Sequence, residues 1–255
     1  MKRVLFMTDR VMHYQIETYK ALEKALAAQG IELWLLSGED KKSKVGRVGI
    51  KVPVVANELK YGFREYRIGN YTFRKYSGVL ERIYEIRPDA VVNAAHSGNW
   101  SHWKISEQKK RLRFKLISWL CGYEFNPGKL KDFVLGTFIP RYDYHLVYHS
   151  NARDYALNHG ARVDQVTVIH NTINEEKIAT LPKTEARALV VGKHPEIGDR
   201  KIILFVGAVL AEKRIEMILQ ALDIMRRKDA VLVLVGDGEH LPAVRALCAG
   251  RDDVV

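Results

Sequence analysis

The sequence predicts an α/β protein: one complete domain on an open parallel sheet covered by helices on both faces, then the start of a second domain of the same kind. Three observations carry this. Short apolar runs alternate with segments of helical period over about 170 residues. A charged, proline-containing stretch, Asn174–Arg200, interrupts the alternation. The cycle of apolar run, glycine turn and helical stripe then begins again at Ile202.

In chain order, Arg3–Met7 reads as a strand and the stripe Ile16, Tyr19, Leu22, Leu26 as a helix, with Gly30 just past its last turn. Ile31–Leu36 is a second strand, and strand–helix–strand spacing makes the two parallel. Ser37–Phe73 is looser, rich in basic and aromatic residues, with a third strand expected at Val52–Val55. Val79, Ile83 and Ile86 mark a helix that Pro88 ends. Strands follow at Ala90–Ala94, Phe114–Trp119, Tyr144–Tyr148 and Gln165–Ile169, with a helix at 151–159 before the last. The second cycle has strand Ile202–Val206, helix Glu212–Arg227, strand Ala230–Val235 and a helix through Val244 and Leu247; Asp252–Val255 opens a third strand. These elements give domains at 1–173 and 201–255 with a linker at 174–200, the second domain being incomplete because two strands cannot form a covered parallel sheet.

The chain of 255 residues is 47% hydrophobic and 28% charged, the composition of a soluble globular protein. No apolar run reaches the roughly 18 residues that span a bilayer, and the N-terminal apolar run is too short for a secretory signal. Cys121 and Cys248 fit no metal spacing and read as reduced, buried thiols of a cytoplasmic protein. From Asp199 onward nine basic residues balance nine acidic ones, so the whole +11 net charge lies in the first 198 residues, where an anionic partner would be met.

The turn after the first strand, Met7-Thr8-Asp9-Arg10-Val11, lacks the G-x-G-x-x-G of dinucleotide-binding folds. P-loop, H-E-x-x-H and G-x-S-x-G patterns are missing too, which argues against dehydrogenase, ATPase, zinc protease and serine hydrolase. The positive signals follow strands, where ligands of open α/β sheets bind. Gly207 lets backbone approach a ligand, and Lys213 and Arg214 add charge at a helix N-terminus, a combination suited to a diphosphate. Gly236-Asp237-Gly238-Glu239 is a second such turn. A plain strand-to-helix turn with solvated cations is the alternative for each.

The order of these pieces resembles the family-four retaining glycosyltransferases, which have two Rossmann-like domains in the GT-B arrangement. Val168-Ile169-His170-Asn171-Thr172-Ile173-Asn174 is similar to the V-I-x-N-G-V-D segment that closes their first domain, with Thr172 in place of glycine. Leu204–Gly207 with Glu212-Lys213 resembles their first donor-domain strand and diphosphate turn, although the arginine expected after the glycine is Ala208. Leu232–Glu239 is similar to their second strand and the loop beside the nucleoside. The clear similarity covers 144–239, and their E-x7-E segment for donor sugar and ribose would lie beyond residue 255.

The resemblance implies transfer of a sugar, with retention, from a nucleotide-diphosphate sugar to a lipid-linked or envelope glycan, with no metal and no cofactor. Gly207, Lys213 and Arg214 would hold the diphosphate, and Gly236–Glu239 would border the nucleoside. His96, after the strand at Ala90–Ala94, would contact the sugar; a strand-end histidine held by backbone is the alternative. Asp9, Arg10 and His13, with Tyr123 and Glu124, lie in loops on the acceptor side. Trp100 and Trp103 precede a segment, Lys104–Lys115, with six basic residues and one acidic one. Together with Lys109, Lys110, Arg111 and Arg113 they suit an anionic membrane surface at its cytoplasmic face, or else form a solvated helix whose tryptophans pack on the sheet. No nucleic-acid motif accompanies the charge. The other class of reading is a non-catalytic acceptor- or membrane-binding module, or one half of an enzyme paired with a separate donor-domain chain.

Overall fold

The structure is a computed structural model that describes residues 1–38, 53–68, 71–120, 128–171 and 180–255. The described residues form two compact units, one ending at residue 171 and one beginning at residue 180.

The first unit is built on β1 (Lys2–Thr8), β2 (Ile31–Gly38), β3 (Asn57–Tyr61), β6 (Ala90–Asn93), β7 (Lys115–Leu120), β8 (Tyr144–Val147) and β9 (Val166–Val168). They form one sheet in the order β3-β2-β1-β6-β7-β8-β9, and every pair is parallel. Side chains alternate between faces along a strand, so a strand covered on both sides must be apolar at successive positions. Leu5 and Met7 accordingly enter one buried cluster and Phe6 the other; Leu36 and Leu35 divide in the same way. The first cluster is closed by α2 (Val79–Ile86), α3 (Trp100–Leu112), α4 (Lys129–Phe138) and α5 (Ser150–Asn158). The second is closed by α1 (Ile16–Ala27), through Tyr19, Ile16, Leu22 and Leu26.

Two sequence expectations change here. The third strand is Asn57–Tyr61, not Val52–Val55: Val54 and Val55 are buried, but in a bend that packs against the second cluster. The stretch read as loose contains an antiparallel pair, β4 (Phe63–Ile68) and β5 (Tyr71–Tyr76), outside the main sheet. Helix α3 begins on Asn99, whose side chain accepts from the Ser101 N–H at 3.0 Å, and Lys109, Lys110 and Arg111 suit the negative end of its dipole.

In the second unit β10 (Lys201–Val206) pairs in parallel with β11 (Ala230–Val235), and Val254 makes a parallel bridge to Leu232. Helices α7 (Ile215–Met225) and α8 (Leu241–Cys248) pack on these strands through Ile215, Leu219, Leu222 and Val244. Within the stretch read as the linker, Lys183–Lys193 forms a helix, α6, whose Val191 joins Ile197, Val231 and Val233 in a small core. Among the described residues, no helix is long and apolar enough to cross a membrane.

Candidate functional site

In the first sheet β1 lies between β2 and β6, so the chain winds one way from β1 and the other way from β6. The crevice beyond the C-terminal ends of these two strands is the topological switch point, where open α/β sheets take their ligands. Asp9 follows β1 there and His96 follows β6, so two of the sequence candidates sit at the two loops of that crevice.

Asp9 is the centre of a hydrogen-bonded group. Its Oδ2 accepts from the Arg74 guanidinium at 2.6 Å, and its Oδ1 accepts from the Tyr76 hydroxyl and lies 3.3 Å from that of Tyr61. The Tyr61 hydroxyl is also 3.1 Å from the Thr8 carbonyl. Arg74 is paired across the hairpin with Glu65 at 3.0 Å. Burial and then the Asp9 carboxylate push the Tyr76 hydroxyl well above the ordinary tyrosine range, so it stays protonated and donates.

The β4–β5 hairpin is also fastened to the loop after β6. Arg74 N–H donates to the Gly98 carbonyl at 3.0 Å, and Tyr76 N–H to Ser101 Oγ at 2.8 Å. His102, on α3, lies beneath this loop, edge-on to Tyr76, and its Nδ1 accepts from the His96 N–H at 3.1 Å. The two imidazoles are stacked with centroids 6.3 Å apart, His102 buried and His96 exposed. Desolvation, with a smaller effect from His96, lowers the His102 pKa to about 3, so it is a neutral acceptor for that backbone donor. Ala95, at φ +49°, turns the chain so that His96 projects outward.

Behind the crevice a polar row crosses the sheet in register: Asn93, Ser118 and His145 occupy paired positions on β6, β7 and β8 and are all buried. Asn93 Oδ1 accepts from the Ala95 N–H at 2.9 Å and from the Tyr142 hydroxyl at 2.8 Å; Ser118 Oγ and His145 Nδ1 are 2.8 Å apart. Burial lowers the His145 pKa to about 4.

The remaining first-unit candidates divide. The Arg10 carbonyl accepts from Thr8 Oγ1 at 3.0 Å, while His13 is exposed and edge-on to Tyr14. Tyr123 and Glu124 lie outside the described residues. The expected tryptophan and basic surface is not one patch. Trp103 belongs to the fold: its Nε1 donates to the Ser97 carbonyl at 2.8 Å, its ring packs on Phe138, and the Arg141 guanidinium covers it. Lys109 is committed as well, to the Arg141 carbonyl and to Asp143 at 3.3 Å. Lys110, Arg111 and Arg113 are exposed at the far end of α3 from Trp100, and Arg111 lies over Tyr84.

In the second unit the two expected turns are joined. Val209 N–H donates to the Asp237 carbonyl at 2.9 Å, and His240 N–H to the Val209 carbonyl at 3.1 Å. This approach requires glycine: a Cβ on Gly236 would fall 1.9 Å from the Gly207 carbonyl oxygen, and one on Gly238 would fall 2.2 Å from that of Val209. Asp237 Oδ1 caps the turn by accepting from the Gly238 N–H at 2.8 Å. Lys213 ends a short 3-10 turn, and Arg214, at φ +48°, precedes the first residue of α7. Among the described residues, Lys213 pairs only with the exposed Glu212, at 3.7 Å. Glu216, in the first turn of α7, is bound by His240, whose hydrogen bond lowers its pKa. Glu239 is exposed.

Comparison with known proteins places this geometry. HepE of Anabaena, solved with UDP and glucose, matches all of the chain with 68% of its own length, at 12% identity and a TM-score of 0.62. A glycosyltransferase from Rickettsia africae matches all of it with 67% of its length, at 14% identity and 0.65. The UDP-GlcNAc 2-epimerase of Methanocaldococcus jannaschii, solved with UDP-GlcNAc and UDP, does so with 73% of its length, at 14% and 0.53. The fold is therefore the Rossmann-like α/β type of GT-B glycosyltransferases. Residues 187–251 match the family model for glycosyl transferases group 1, and fold and match together are those of a glycosyltransferase-type enzyme. No curated protein matches the sequence.

Two outcomes follow. His102 and His145 are neutral in the fold down to about pH 3 and 4, whereas free histidine titrates near 6.5. Between those values the unfolded chain binds more protons, so stability falls as pH drops below about 6.5, by up to about 1.4 kcal/mol per pH unit for each histidine. Urea midpoints at pH 7.5 and 5.0 should differ, and by less in His102→Asn; equal midpoints in the parent would contradict the assignment. Separately, Gly238→Ala should destabilise the second unit by about 1–3 kcal/mol, read by thermal melting, because the blocking atom is backbone.

Proposed function

We propose that the chain takes part in retaining, metal-independent transfer of a sugar from a UDP-type nucleotide sugar to a lipid-linked or envelope glycan acceptor at the cytoplasmic face of a membrane. The observation that carries this is the joined pair of glycine turns with Lys213 and Arg214 at the start of α7, inside the segment that matches the family model. Such a turn offers backbone N–H groups and two cations to a diphosphate. The UDP and UDP-sugar complexes of the similar structures support a uridine diphosphate donor.

In the reaction the bond between the sugar anomeric carbon and the β-phosphate oxygen breaks, and its electron pair leaves with the diphosphate. The acceptor oxygen bonds the same carbon, and its proton passes to the departing phosphate. Charge grows on the diphosphate as the bond opens, so Lys213, Arg214 and the α7 N-terminus stabilise the transition state more than the ground state. On the acceptor side, the exposed His96 is the sugar contact, held through its backbone by His102. Asp9 is tied to two tyrosines and Arg74; it orders the acceptor loop.

Isothermal calorimetry with UDP, GDP and ADP tests the donor reading. UDP binding is expected, weakened about tenfold or more in Lys213→Ala through loss of a charge-assisted contact. No binding of any of the three nucleotides would contradict it.

A further inference from the structure

Beside the crevice of the first unit lies an open cavity of about 880 Å³ between the β4–β5 hairpin and helices α2 and α3. Its floor is core: Val79 and Ile105 are buried. Its upper walls are apolar side chains left in water, with Ile68 and Trp100 each 67% exposed and the cross-strand pair Tyr66 and Phe73 49% and 39%. Exposed apolar surface costs about 25 cal/mol per Å² relative to its burial, and a concave cluster of it marks a binding surface rather than chance exposure. The volume falls within the ~300–1,000 Å³ typical of small-molecule sites.

The rim is cationic. Lys75 and Lys104 line the cavity and have no ion pair among the described residues, against one acidic lining residue, Glu81. Arg74 and Tyr76 line it as well, and both bind Asp9 at the end of β1. A hydrocarbon chain in the cavity would therefore carry its polar head to the crevice that holds Asp9 and His96. An apolar trough with positive rim charge selects an amphiphile with an anionic head over a neutral one.

We propose that this cavity binds the hydrocarbon chain of an anionic, phosphate-headed amphiphilic acceptor, with Lys75 and Lys104 meeting its head. This deepens, and rests on, the reading of the first unit as the acceptor side.

The probe is dodecyl phosphate below its micellar concentration, followed by tryptophan fluorescence and calorimetry on the full chain. Saturable binding is expected, with a fluorescence change that Trp100→Phe removes. Ile68→Ser, at an exposed position, should weaken it tenfold or more, and Lys75→Gln/Lys104→Gln should weaken it while leaving thermal stability unchanged. Ile224→Ser, an exposed apolar site in the second unit, should bind as the parent does. Absence of binding, equal affinity for dodecyl maltoside, or insensitivity to Ile68→Ser would overturn the proposal. UDP binding measured on the same samples separates the two readings. UDP without dodecyl phosphate sinks the cavity alone, and dodecyl phosphate without UDP sinks the donor reading alone.

Discussion

A half-buried carboxylate holds the first unit's functional end together. Asp9 stands where β1 runs out, and a half-buried carboxylate there needs hydrogen-bond donors in place of the water it has lost. It finds them in Arg74 and Tyr76 of β5, with Tyr61 of β3 alongside, and so ties β1 to the sheet edge and to a hairpin the sheet does not contain. The hairpin is also held by the loop after β6, by α3 and by the packing of Tyr76 on Tyr61. The cavity wall and the placement of His96 both depend on the same knot, since Arg74 also binds Gly98 and Tyr76 packs on His102.

The two units solve one problem in different ways. Each presents loops beyond the C-terminal ends of parallel strands. In the first unit the loops are held by side chains: a carboxylate, two phenols, a guanidinium and a neutral histidine. In the second they are held by backbone, Val209 against Asp237 and His240, at a distance only glycine permits. Gly236 and Gly238 are thus explained by loop-to-loop packing whatever ligand they meet, and Lys213 and Arg214 remain the outward-facing chemistry.

Much of this was legible in the sequence. The continuous apolar runs at Arg3–Met7, Ile31–Leu36 and Ala230–Val235 identified strands buried on both faces, and the stripe Ile215, Leu219, Leu222 identified α7. Asp9 and His96 were found because they follow strands. Tyr61, Arg74, Tyr76 and His102 were missed because their roles depend on residues brought together by folding: Asp9 is 52, 65 and 67 positions from Tyr61, Arg74 and Tyr76, and His102 meets Tyr76 of another element. A signal existed: Phe63–Ile68 and Tyr71–Tyr76 flank Gly69-Asn70, a two-residue turn pattern, but the dense charge of both runs masked their alternation. Trp103 and Lys109 were indistinguishable in sequence from surface residues; only the position of Phe138, Arg141 and Asp143 shows that they are half-buried and tied into the fold.

The central claim is that the two units carry separate sites for the two substrates. Hydrogen exchange by mass spectrometry, with UDP and with dodecyl phosphate added in turn, tests it most directly. The account predicts that UDP slows exchange at 207–216 and 236–240 alone, and that dodecyl phosphate slows it in β4, β5 and the first turn of α3 alone. Protection of the hairpin by UDP, or of neither region by either ligand, would contradict it.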